Sequence, residues 1–161
     1  MRTQDDPGAD DPMAGAWHEA GHAVVAHLLG GEVQGLSLEP EEDELDGRAS
    51  VLWSGMDARS LARVSIAVAL AGPSAEWAYL GGGEPSAETA SQWGADWQEV
   101  ELRLAELSAD PEEQRRLLLE LWAETQRLIG DPDVRERLAR VAEMLEAHGT
   151  LDRDLFLDCW A

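Results

Sequence analysis

Residues 17–25 read Trp17-His18-Glu19-Ala20-Gly21-His22-Ala23-Val24-Val25, and they sit inside a run whose small and apolar residues recur at helical spacing. The pattern predicts a helix from Met13 to Leu29, stopped by Gly30-Gly31. Within it, His18 and His22 stand four residues apart. That spacing turns the chain by about 400°, so both imidazoles leave one face of the helix, one turn apart. Two nitrogens so placed suit neighbouring positions on one tetrahedral zinc ion. Glu19 lies beside His18, where its carboxylate reaches a water at the metal without ligating it, and is the candidate catalytic base. The competing reading makes both histidines partly buried structural residues.

Outward from this helix, Val33–Leu38 and Arg48–Ser54 read as short strands of an antiparallel hairpin. The acidic stretch Glu39–Gly47 between them reads as a solvated loop, since it lacks the spacing of a calcium loop. Asp57 caps an expected second helix, Ala58–Leu80, interrupted at Gly72-Pro73 and ended by Gly81-Gly82-Gly83. Glu84–Gly94 reads as a loop. Helices are expected at Ala95–Leu107, Pro111–Ile129, Pro132–Ala147 and Arg153–Trp160. Asp110-Pro111 and Asp131-Pro132 mark two of the starts. The expected fold is mainly α with one small β-hairpin: residues 1–12 as a disordered acidic tail, 13–161 as a single domain.

The 161 residues include 33 acidic and 12 basic side chains, for a formal charge of −21. Such a field disfavours nucleic acid and anionic membrane surfaces as partners. No signal peptide or membrane span is visible, and the lone Cys159 fits a reducing compartment as a small buried hydrophobe, so the expected location is cytoplasmic. All 12 basic residues are arginine. Without lysine these residues hold no P-loop and hence no nucleotide-driven motor of that type.

The stretch Trp17–Val25 resembles the active-site helix of FtsH-type ATP-dependent zinc metalloproteases. Val33–Ser54 is similar to that family's hairpin, with an acidic loop in place of its basic, proline-containing turn. Ala67–Glu76 is similar to its Leu-Ala-Gly-x-x-Ala-Glu helix, Ser91–Asp96 to its Gly-Ala-x-x-Asp segment, and Ala147–Asp152 to its Thr-Leu-Asp turn. The resemblance implies a helical peptidase domain whose zinc is held by His18, His22 and an aspartate, matched here by Asp96. The family places two residues between the Ala and the Asp, whereas Ala95 and Asp96 are adjacent. Glu76 therefore stands as the alternative third ligand or as a supporting carboxylate, and an ordinary helix N-cap is the competing role for Asp96. His27 and His148 are expected to lie away from the site, and Trp93 or Trp97 to line the cleft if either does.

The activity this implies is zinc-dependent hydrolysis of peptide bonds in unfolded or flexible polypeptides. The strand Arg48–Ser54 would align the substrate. A separate ATPase or a specific regulator protein is a candidate partner, and homo-oligomerisation stays open. The alternative function is an inactive, peptidase-derived binding or scaffold module with a structural zinc.

Overall fold

The computed structural model describes residues 11–38, 49–82 and 93–160. The expected tail up to residue 10, the acidic loop 39–47 and the loop 84–92 lie outside these residues. Among these residues, six helices and three short strands follow one another as α1 (Pro12–Leu28), β1 (Glu32–Ser37), β2 (Ser50–Leu52), α2 (Ala58–Tyr79), α3 (Gly94–Leu107), α4 (Pro111–Gly130), α5 (Pro132–His148), β3 (Thr150–Asp152) and α6 (Arg153–Asp158). The fold is mainly α with a small antiparallel sheet.

Local chemistry explains most of the boundaries. Asp11, assigned to the tail by sequence, instead caps α1: its carboxylate accepts from the Met13 backbone at 2.9 Å, and Pro12 takes the first helical turn, where no N–H is needed. Asp110 and Asp131 cap α4 and α5 in the same way. Gly149, at φ 75°, stops α5 in a backbone conformation that costs a side-chain-bearing residue more.

Three expectations are corrected. The helix α2 is not interrupted at Gly72-Pro73 but runs unbroken to Tyr79. Pro73 removes one N–H from the ladder, yet it sits in the most buried stretch of the helix, where packing on both sides outweighs the lost bond. The hairpin also gains a partner. Residues 150–152, expected as a turn, form β3 and pair antiparallel with β1 in the register Leu36↔Leu151, giving the strand order β2-β1-β3. The second strand is shorter than expected, and the β1–β2 register shifts between Val33 and Gly35. These features leave β2 at the edge of the sheet.

The core forms around α1, whose Ala20, Ala23, Val24 and Val25 are fully buried against α2, α5 and the sheet. A second cluster, including Ile66, Leu70, Val100 and Leu121, packs α3 and α4 onto α2. At the α1–α2 crossing the backbones nearly touch: a Cβ on Gly21 would lie 2.4 Å from the Ala71 carbonyl oxygen. This contact fixes the ligand-bearing face of α1 against α2. Among the described residues no helix is long and apolar enough to cross a membrane.

Away from that face, His27 packs edge-on against Phe156 and Trp160, with ring centroids 5.7 and 4.5 Å away, and Cys159 is buried beside them. Partial burial lowers the His27 pKa below its usual 6.5. The unfolded chain therefore takes up the proton more readily than the fold. The stability this neutral ring gives is full above the ordinary histidine range and declines as pH falls through it towards the lowered folded value. His27→Phe is expected to remove that part of the acid-side decline, seen as a flatter difference in melting temperature between pH 7 and pH 5. An unchanged slope would contradict it.

Candidate metal centre

His18 and His22 project from α1 towards the first turn of α3, as their four-residue spacing requires. There Asp96 meets both. Its Oδ2 lies 2.8 Å from His18 Nε2 and its Oδ1 lies 3.3 Å from His22 Nε2. One ligand atom from each of the three side chains falls within 4.8 Å of the others. Asp96 is not the helix cap, which was its competing role. Trp93 occupies the N-cap position of α3 without a side-chain cap bond, and Asp96 belongs to the first helical turn.

The far nitrogen of each ring is anchored separately. The Val68 carbonyl lies 2.6 Å from His22 Nδ1 and can only accept, so the proton sits on Nδ1 and Nε2 is left facing Asp96. His18 turns Nδ1 towards Glu76 Oε2, 3.7 Å away. Glu76 itself is buried and accepts a hydrogen bond from the Trp93 indole. It therefore lies behind His18, on the opposite side of the ring from Asp96, as a supporting carboxylate.

Burial opposes the charge on His18, but the hydrogen bond to Asp96 and the nearby Glu76 carboxylate, with the fields of Asp96 and Glu19, outweigh it and raise the pKa to about 10. Burial likewise opposes ionisation of Asp96, and the hydrogen bond from His18, with the close approach of His22, overcomes it and holds its carboxyl well below the usual carboxylate range. The carboxylates of Asp96, Glu76 and Glu19 thus favour a positive charge at the His18 ring. Glu19, half-buried on α1, is close enough for its charge to act on the His18 ring.

The three donors fit a zinc ion: two imidazole nitrogens and a carboxylate oxygen are the ligand types zinc takes, and catalytic sites keep a further position open. The His22 Nδ1–carbonyl bond and the His18 Nδ1–Glu76 approach are the outer contacts that orient such ligands. Gly72 supplies the room. A Cβ there would come 2.3 Å from His22 Nε2 and 2.9 Å from His18 Nε2, so only glycine lets α2 pass this close.

A cleft of about 260 Å³ opens beside the group. His22 and Asp96 form part of its wall, Val51 and Trp53 come from the β2 segment, Val68 from α2 and Glu99 from α3. Its aromatic residue is Trp53. Trp93, one of the two tryptophans considered for this place, is buried against Trp77, and Trp97, the other, is partly exposed; neither lines the cleft. His27 lies at the other end of α1, and His148 ends α5. The contributions of Gly72, the Val68 carbonyl, Trp53 and Trp93 had no local signal, since each acts through contacts between elements distant in sequence. No family model matches the chain, and none of the curated proteins matches it.

Proposed function

We propose that this chain is a zinc-dependent peptidase that hydrolyses peptide bonds in unfolded or flexible polypeptides. The observation that carries the reading is the convergence of His18 Nε2, His22 Nε2 and the Asp96 carboxylate on one point, beside a cleft and next to Glu19. The resemblance of residues 17–25 to the active-site helix of FtsH-type peptidases adds to it.

Bound among these three side chains, zinc supplies a Lewis acid that polarises a carbonyl and lowers the pKa of water towards ~7. The remaining steps belong to the chain. Glu19 accepts a proton from the attacking water and returns it to the leaving amine. Glu76 and the Val68 carbonyl hold the two imidazoles in place through their Nδ1 atoms. Among the described residues β2 is an edge strand beside the cleft, and an extended substrate pairing there would present its backbone to the site. Such pairing needs a chain already unfolded, which supports unfolded or flexible polypeptides as the substrates.

A second reading is favoured by one distance. The 2.8 Å His18–Asp96 pair satisfies both groups without a metal, as a partly buried ion pair within a non-catalytic module would. The two readings separate on a denatured, alkylated polypeptide incubated with metal-free protein. The peptidase reading expects no cleavage until zinc is added, and loss of cleavage when a chelator removes it. Absence of cleavage at every zinc concentration would leave the ion-pair reading.

A further inference from the structure

Trp93 joins three helices at one carboxylate. Its backbone carbonyl accepts the N–H of Trp97 at 3.1 Å and so opens α3, three residues before Asp96. Its indole N–H is donated to Glu76 Oε2 on α2. That same oxygen lies 3.7 Å from His18 Nδ1 on α1. Trp93 and Glu76 are each only 7% exposed, so the contact is shielded from water and Glu76 depends on protein donors.

From this geometry we infer that Trp93 is a positioning residue of the metal centre, acting through Glu76 on His18 and through the start of α3 on Asp96. The inference rests on the metal-dependent reading above. An indole donates and cannot accept, so it occupies an oxygen of Glu76 and keeps that carboxylate behind His18, away from the metal position. Glu76, so fixed, holds the Nδ1 side of His18, and Nε2 is left towards Asp96. The competing role is packing alone, because Trp93 also meets Trp77 edge-on with centroids 6.1 Å apart.

The two roles separate by zinc affinity, measured by competition with a chromophoric chelator, and by the visible spectrum of the cobalt-substituted protein. Trp93→Phe keeps the ring and removes the donor. It is expected to weaken zinc binding by about 10- to 100-fold and to shift the cobalt bands, the range usual for a lost supporting contact. Glu76→Gln keeps the volume but places an amide in contact with Trp93 and His18, and should weaken binding to a similar degree. The double variant should be no weaker than Glu76→Gln alone, since both changes act on one linkage. Trp77→Phe, which changes only the packing partner, should leave affinity and bands near the parent's.

Parental affinity in Trp93→Phe, or an equal loss in Trp77→Phe, would overturn the inference while leaving the zinc reading in place. If Trp93→Phe fails to fold, the Glu76→Gln result decides, and unchanged affinity there overturns it equally. A parent protein that takes up no zinc removes both the inference and the reading beneath it.

Discussion

Glu19→Gln is expected to lower the rate of peptide hydrolysis by about 10²- to 10⁴-fold while leaving zinc bound. The amide preserves the size of the side chain and its position after His18 on α1, so the helix and the ligand group are undisturbed. What it removes is a group able to accept a proton from water at neutral pH and release it to a departing amine. Glu19 is not among the three side chains whose ligand atoms converge, so its replacement leaves the donor set complete. The check is kcat on an unfolded substrate beside the metal content of the same preparation. Hydrolysis at the parental rate would remove Glu19 from its role. Loss of zinc together with activity would make it part of the metal's support.

The second large effect concerns two glycines with opposite consequences. A Cβ on Gly72 meets imidazole atoms, at 2.3 Å from His22 Nε2 and 2.4 Å from its Cε1. These are side-chain ends that swing aside, and α2 gains helix propensity from alanine, by about 1 kcal/mol. Gly72→Ala should therefore stay folded and yet lose zinc, because the new methyl fills the point at which the nitrogens converge. A Cβ on Gly21 instead meets the Ala71 carbonyl oxygen at 2.4 Å and the Ala75 Cβ at 2.7 Å. Neither moves without shifting a helix. Gly21→Ala should thus lower stability by about 1–3 kcal/mol, the usual cost of overpacking, and drop the melting temperature visibly. Melting curves and zinc titrations on both variants check the pair. A Gly72→Ala protein that binds zinc as the parent does would contradict the placement of α2 over the imidazoles.

Features encoded within a few residues were legible in the sequence. His18, Glu19 and His22 share one helix, so their relation is fixed by helical geometry before any tertiary contact forms. The starts of α4 and α5 were carried by Asp-Pro pairs whose capping chemistry is complete within three residues. Features that depend on a partner were not. Residues 150–152 have too short a run to signal a strand, and become one only because β1 presents an edge. Gly72-Pro73 reads locally as a helix break, and the break is overridden by packing that the segment cannot announce. Asp96 became a candidate through a resemblance with a changed spacing, and Glu76 competed with it until the fold placed the two carboxylates on opposite sides of His18. The indole that holds Glu76 comes from a residue 17 positions away, a separation that leaves no local trace.

The central claim, that the chain is a peptidase working through one zinc at His18, His22 and Asp96, is tested most directly by titrating metal-free protein with zinc while following cleavage of an unfolded polypeptide. The account predicts that activity rises with added zinc, stops rising at one equivalent per chain, and is lost in His22→Ala and Asp96→Ala. Cleavage that is absent at every ratio, or that persists in both variants, would contradict it.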